Sequence, residues 1–349
     1  MSAEASLDAG APRAGSRRAT GLALRALQSG PLLILALLVV VMALLSPYFL
    51  TGRNLTNLGF QTAIVGVLAL GQLLVILTRG IDLSVGSVVA LAGVVGAIVS
   101  GAAETAASGS HGVLTLLAMA GVGLGVGLVN GVILVGGRVM NPFIVTLGML
   151  SIVRGAALVV SDAQTLTGLP PVVQDLGTGL IGPVPAPAVL VAALALLTWV
   201  VLARTQWGRW IYAVGGNPDA ARRVGIPVNA VLLSVFAVCG LAAGIAGILT
   251  AGRTNAGAPN AGQLLELDAI TAVVIGGASF FGGRGSVPNV VAGALIIGVI
   301  RNGLNLLDVT PFWQSIAIGA LVIASLEIDV LRGHLEERLR AAQSAEGPR

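Results

Sequence analysis

Lysine is absent from this 349-residue chain; all 19 of its basic residues are arginine. Cysteine occurs once, at Cys239, and histidine twice, at His111 and His334. Charged residues make up only 10% of the chain and aromatic residues 4%. Each shortage closes off a class of chemistry. Without lysine there is no Walker A loop to hold nucleotide phosphates, and no Schiff base for pyridoxal phosphate. Two histidines far apart in sequence do not make a multi-histidine metal site. A single cysteine excludes an intramolecular disulfide and a CxxC redox site. An intramembrane enzyme would need a nucleophile–base or metal constellation, and these residues offer none.

What the chain has in abundance is apolar sequence. Hydrophobic residues make up 56% of it, and the mean hydropathy is +0.96. A soluble domain carries about 25% charged residues, so the polar skin here is too thin. A membrane-spanning helix needs about 20 mostly apolar residues. Apolar segments lie near 31–49, 59–77, 84–101, 113–135, 142–161, 187–203, 227–250, 268–281, 287–302 and 313–330. The sequence therefore predicts an all-α membrane protein with about ten transmembrane helices, some broken or re-entrant. The eighth and ninth segments are short and flank FFGGRGS (280–286), so a broken hairpin is an alternative to two full spans. The third follows RGIDLSVGS (79–87), which reads as an unwound entry.

Arginine placement orients the spans. With the N-terminus in the cytoplasm, fifteen of the nineteen arginines fall on cytoplasmic segments: Arg13, Arg17, Arg18, Arg25, Arg79, Arg138, Arg204, Arg209, Arg222, Arg223, Arg284, Arg332, Arg338, Arg340 and Arg349. Arg53 and Arg253 stay outside, Arg301 lies near a helix end, and Arg154 lies within the fifth span. The outer loops 102–112 and 162–186 carry Glu104, Asp162 and Asp175 but no arginine. The positive-inside rule thus puts both termini in the cytoplasm, and it accounts for the pI near 10.5 without nucleic acid. Residues 1–30, rich in Ala, Gly, Ser and Arg, read as a disordered cytoplasmic tail. The long tail and the many later spans favour an uncleaved signal anchor over a signal peptide. Residues 31–330 form one transmembrane domain, and 331–349 a cytoplasmic C-terminal tail.

Small residues recur at helical spacing. In AGVGLGVGLVNG (120–131) the pairs Gly121/Gly125, Gly123/Gly127 and Gly127/Gly131 lie four apart, a spacing that lets helix backbones approach. A nucleotide-binding glycine loop would need a preceding strand, which is not there. CGLAAGIAGIL (239–249) reads the same way.

The largest cytoplasmic loop is RTQWGRWIYAVGGNPDAARRVGIPV (204–228). Within it NPDAARR reads as a short helix. Asn217 caps it, Pro218 suits the first turn, Asp219 meets the positive end of the dipole, and Arg222 and Arg223 the negative end. It is either a solvated surface helix or a docking helix for a cytoplasmic partner. Trp207, Trp210 and Tyr212 read as interfacial anchors.

This loop resembles the GGNxxAAR-x-x-GI coupling segment of ribose/xylose-type ABC sugar importer permeases. GIDLSVGS (80–87), NPFIVTLGMLSIVRG (141–155), LDAITAVVIGGASFFGGRGSV (267–287) and NGLNLL (302–307) are similar to blocks of that family, in register over residues 31–330. Pro218-Asp219 stands where Glu-Ala is more usual. The resemblance implies the importer permease fold and a 204–227 coupling loop that engages cytoplasmic ATP-binding subunits through Gly215, Gly216, Asn217, Pro218, Asp219, Ala220, Ala221, Arg222, Arg223 and Gly225. It also implies an extracytoplasmic sugar-binding protein, a second copy of the permease (homodimer) or a related permease, and a multi-pass location in the bacterial inner membrane. No cofactor is expected in this chain; ATP and Mg²⁺ would be bound by the partner subunit.

Polar residues at or within spans are the candidates for a substrate pathway or gate. They are Asp82, Ser84, Asn141, Phe143, Arg154, Asn302 and Asn305. Each has a structural alternative: an Arg79–Asp82 pair, Asn141 capping the fifth span, Arg154 pairing with Asp162, and Asn302 and Asn305 joining helices rather than meeting sugar hydroxyls. The acids sit mostly at span ends, which favours a neutral polar solute over a cation. The expected function is ATP-driven monosaccharide import. A nucleoside or branched-chain amino acid permease, or a self-sufficient secondary transporter with ion ligands at the midplane, are the alternatives.

Overall fold

A computed structural model describes residues 30–103, 110–137 and 141–344. The predicted N-terminal tail, Glu104, Arg138 and Arg349 lie outside the described residues, as does the end of the C-terminal tail. The described residues are mostly helical: α1 (Gly30–Leu45), α2 (Gly52–Leu77), α3 (Val85–Ala103), α4 (Ser110–Gly136), α5 (Pro142–Val160), α6 (Pro171–Thr178), α7 (Ala186–Arg204), α8 (Gln206–Gly216), α9 (Pro218–Arg223), α10 (Val228–Thr254), α11 (Leu265–Ile275), α12 (Val287–Leu306) and α13 (Pro311–Ser344). Two short antiparallel pairings, β1 (Leu166–Thr167) with β4 (Ala256–Gly257) and β2 (Leu180–Ile181) with β3 (Val184–Pro185), tie loops at one end of the bundle.

Each predicted apolar segment carries a helix. Among the described residues, six helices (α2, α4, α5, α7, α10 and α12) are long and apolar enough to cross a membrane. Three further apolar stretches, Gly30–Leu45, Val85–Gly101 and Pro311–Ala324, are shorter. The eighth segment differs from expectation. Its helix, α11, begins earlier and has only 11 residues, about half of what a span needs. The ninth is a full helix of 20 residues. The pair is therefore a half-helix followed by a complete one, not a symmetric hairpin. The last helix also runs beyond the predicted span, to Ser344.

Two helices form the axis. In α2 the run from Thr62 to Leu77 is buried except at Ile64, and α10 is buried along most of its second half. A helix apolar on every side and enclosed by others is what a bundle interior requires. By contrast, α7 buries little of its apolar surface against protein.

The glycines of α4 meet α10 selectively. A Cβ on Gly123 would strike the Gly240 carbonyl and the Gly244 nitrogen, and one on Gly127 the Phe236 carbonyl. Gly131 lies against Leu233. The predicted close approach is therefore made by Gly123, Gly127 and Gly131, with Gly240 and Gly244 opposite. Gly121 and Gly125 have no neighbour within 4 Å, so that pair takes no part in the seam.

Three irregular connections interrupt the helices near the core: 78–84 between α2 and α3, 255–264 between α10 and α11, and 276–286 between α11 and α12. Backbone without helix is tolerated at membrane depth only where protein or a cavity supplies hydrogen-bond partners. Where those partners come from identifies the site.

Candidate functional site

The loop 204–227 folds into two helices at one end of the bundle. Thr205 caps α8, its Oγ1 accepting from the Gly208 nitrogen at 3.1 Å. The buried face of α8 carries Gly208, Ile211, Val214 and Gly215. The aromatic residues at its start are held by protein. The Trp207 indole donates to Ser234 Oγ at 2.8 Å, and the Tyr212 hydroxyl donates to the Gly285 carbonyl at 2.9 Å. Burial pushes the Tyr212 phenol above its ordinary value. Trp210 packs partly buried on the core. All three rings are half-buried against protein.

Asn217 alone separates α8 from α9. Its backbone closes α8 on the Ala213 carbonyl at 3.1 Å, and its Oδ1 accepts from the nitrogens of Asp219 and Ala220, both at 3.0 Å. One residue therefore ends the first helix and caps the second. Ala221 turns inward, while Asp219, Arg222, Arg223 and Val224 are exposed. Asp219 and Arg222 pair at 3.2 Å across the outer face. Such exposed pairs contribute little to stability, which leaves these charges available to a partner. Gly225, at φ 82°, closes α9 in the left-handed conformation. Asn217→Ala removes the cap and costs about 1 kcal/mol. Amide exchange at Asp219 and Ala220 is expected to speed up about fivefold while the membrane helices keep their protection.

The end of α2 meets this unit directly. Arg79 N–H donates to the Ile76 carbonyl at 3.0 Å and Gly80 N–H to the Val75 carbonyl at 2.9 Å. This double closure normally places glycine in the left-handed position. Here that residue is Arg79, at φ 66°, a conformation costing a non-glycine residue about 1–2 kcal/mol. Its side chain turns away from Asp82. Arg79 Nε donates to the Gly215 carbonyl at 2.6 Å, and Nη2 donates to the Gly216 carbonyl. These are the last carbonyls of α8, which lack helical partners and carry the negative end of the dipole. The alternative of an Arg79–Asp82 pair gives way to this helix-end contact. The 276–286 connection joins the same junction, with Gly283 N–H donating to the Leu77 carbonyl at 2.9 Å.

Asp82 and Ser84 sit just inward of it, both buried. Asp82 Oδ1 accepts from the Ser84 nitrogen at 2.9 Å and from Ser84 Oγ at 2.6 Å. Asn130 of α4 donates to Ser84 Oγ at 2.9 Å and to Asp82 Oδ2 at 3.5 Å. With its amide turned so that the oxygen faces the Asp82 nitrogen, Gln72 of α2 accepts from that nitrogen at 3.0 Å and donates to the Asp82 carbonyl at 3.3 Å. Thr146 of α5 donates to the Ile81 carbonyl at 3.0 Å. A buried carboxylate is costly unless hydrogen-bonded; here Ser84 and Asn130 bond the Asp82 carboxylate, while Gln72 and Thr146 bond the backbone beside it. The sequence reading missed Gln72, Asn130 and Thr146. The signal was present, since a polar side chain inside an apolar span is a candidate by default.

The remaining candidates are dispersed. Asn141 caps α5, accepting from the Phe143 nitrogen at 3.0 Å, and the Phe143 side chain is exposed. Arg154 reaches the Pro259 and Ala261 carbonyls, both at 2.7 Å, in the connection before α11, where the sequence suggested Asp162. Asn302 exchanges hydrogen bonds with Asn54 of α2 at 2.8 and 2.9 Å. Asn305 accepts from Gln314 of α13 at 2.7 Å. Both amides are thus engaged between helices.

The acids are not confined to span ends. Glu266 and Asp268 occupy the first turn of the half-helix α11, Glu266 half-buried and Asp268 buried. Asp268 is fully buried and pairs with Arg301 of α12, one guanidinium nitrogen lying 2.8 Å from Oδ1 and 2.7 Å from Oδ2. Glu266 lies against Gly86, where a Cβ would occupy its place, and attracts Arg154. Two acids and two arginines balance.

The pattern of the family described as branched-chain amino acid transport system / permease component matches residues 54–326. The D-allose transport system permease protein of Escherichia coli (strain K12) is 40% identical over 306 residues, covering 86% of this chain and 91% of that protein. The ribose import permease protein of Bacillus subtilis (strain 168) is 40% identical over 302 residues, covering 86% and 92%. The fructose import permease protein of Rhizobium meliloti is 39% identical over 308 residues, covering 86% and 84%. No solved structure gives a significant match. Matched by the family pattern over most of its length and sharing such identity with these permeases, the chain belongs to the branched-chain amino acid transport system / permease component family.

Proposed function

We propose that this chain is the membrane-spanning permease subunit of an ATP-driven importer of a monosaccharide, embedded as a multi-pass protein in the bacterial inner membrane. The observation that carries the reading is the identity of about 40% to allose and ribose permeases along nearly the whole chain. The exposed α9, set at the end of α8, is consistent with it. The arginine distribution favours cytoplasmic termini and a cytoplasmic 204–227 loop. Residues 31–330 then act as one permease domain. The chain forms and breaks no covalent bond. Lacking lysine, it leaves ATP and Mg²⁺ to separate ATP-binding subunits, and an extracytoplasmic binding protein delivers the sugar. A homodimer of permeases, or a pair with a related permease, encloses the pathway.

Nucleotide binding would move α9, and α8 would carry that motion into the bundle. The pathway would then exchange between outward- and inward-open states whose populations depend on differential affinity. A branched-chain amino acid is the second reading, since the family description names that class. Excess unlabelled leucine competing for labelled ribose uptake would favour it.

The direct test is reconstitution. Labelled ribose is expected to enter proteoliposomes only when this chain, ATP-binding subunits, the binding protein and ATP are all present. Uptake by the chain alone would overturn the reading. Arg222→Glu with Arg223→Glu is expected to reduce both co-purification of the ATP-binding subunit and uptake by about tenfold, because like charges placed across an interface repel. Unchanged assembly would remove α9 from the docking surface.

A further inference from the structure

We infer that Arg79 is the positioning residue that locks the α8–α9 unit to the α2–α3 break, so that movement of α9 reaches the buried joint around Asp82. The inference rests on the coupling role proposed for the 204–227 loop and adds a specific link to it.

Three observations carry it. First, Arg79 holds a left-handed backbone position that glycine would fill without strain. A strained residue persists where its side chain is otherwise required. Second, that side chain is committed to one target, the carbonyls of Gly215 and Gly216, which immediately precede the Asn217 cap of α9. Third, the contact is backed on all sides. Gly215 lies against the Leu77 carbonyl and the Gly283 nitrogen, and Gly282 lies against the Arg79 side chain and the Gly215 carbonyl. Three chain segments distant in sequence thus meet at one arginine.

The path onward is short. Thr78 to Ser84 is the connection into α3, and its far end is fastened by Gln72, Asn130 and Thr146. A displacement of α8 along its axis therefore pulls on Arg79 and on the 276–286 connection together. It reaches α3 through one connection and α11 and α12 through the other. Without the arginine, α8 keeps its buried face but loses its grip on the break.

The test uses the complete transporter in proteoliposomes, with ribose uptake and ATP hydrolysis measured on the same preparation. Arg79→Gly is the informative variant, because glycine fits the backbone and removes only the side chain. It is expected to assemble with the ATP-binding subunit and to hydrolyse ATP, while the ribose moved per ATP falls about tenfold, the consequence of losing two charge-assisted hydrogen bonds. Arg79→Lys, which keeps one donor, is expected to recover part of that ratio. A wild-type ratio in Arg79→Gly would overturn the inference. So would loss of co-purification in that variant, which would make Arg79 a docking residue. Failure of the underlying reading looks different: the wild-type chain would then import ribose without the ATP-binding subunit, before any variant is made.

Discussion

Arg301→Leu leaves the Asp268 carboxylate buried without its cation and is expected to destabilise the folded chain by about 3–5 kcal/mol. Asp268 is fully buried in α11, and its hydrogen bond to Arg301 spans 2.8 Å to α12. Breaking one side of a buried pair is costly because the remaining charge has neither water nor a partner. The pair itself need not be a large net contributor. Replacing both members with apolar residues of similar size is often neutral, since the desolvation cost disappears along with the attraction. The double variant Asp268→Leu, Arg301→Leu is therefore expected to regain most of the thermal stability lost in Arg301→Leu alone. Thermal unfolding in detergent, followed by loss of the monodisperse peak, measures both. If Arg301→Leu unfolds at the wild-type temperature, the pair is not buried in the membrane-embedded protein.

That pair also marks where the sequence could and could not be read. Apolar runs of about 20 residues determine where helices lie, and Asn141-Pro142 and Asn217-Pro218 announce helix starts through local chemistry. The irregular backbone after Gly80 and the helix 218–223 were legible for the same reason. Long-range partners were not. Arg79 bonds residues 136 and 137 positions away, and Asn54 meets Asn302 across 248. Nearness in sequence suggested Asp82 for Arg79. The left-handed backbone at Arg79 and the unpaired carbonyls ending α8 decided otherwise. Glycine spacing showed that α4 had close-packing faces but not which one met α10. Gly123 and Gly125 have equal claims in the sequence, yet only Gly123 touches a neighbour. The eighth apolar run was read as 268–281, whereas the half-helix starts at Leu265 and carries Glu266 and Asp268 in its first turn, Asp268 buried.

Gly215→Ala is expected to abolish import, whereas Gly216→Ala, one residue later, is expected to leave it intact. In an isolated helix alanine is better than glycine by about 1 kcal/mol, so propensity favours both changes. At Gly216 nothing lies within 4 Å of a new Cβ, and the gain stands. At Gly215 the Cβ would fall 2.5 Å from the Gly283 nitrogen, 2.9 Å from the Leu77 carbonyl carbon and closer still to the Leu77 oxygen. Those atoms are backbone, on two separate segments, and they bond to each other at 2.9 Å. No rotamer change relieves the collision. Overpacking costs about 1–3 kcal/mol, and separating the Gly283–Leu77 pair costs about 1–3 kcal/mol more. Together these exceed the helix gain several-fold, so α8 is expected to lift off the end of α2. Circular dichroism should be unchanged, amide protection across 206–224 should be lost, and ribose uptake should fall on the order of a hundredfold. Equal uptake by the two variants would mean that α8 does not need to touch Leu77 and Gly283. The junction would then be a packing contact with no part in coupling.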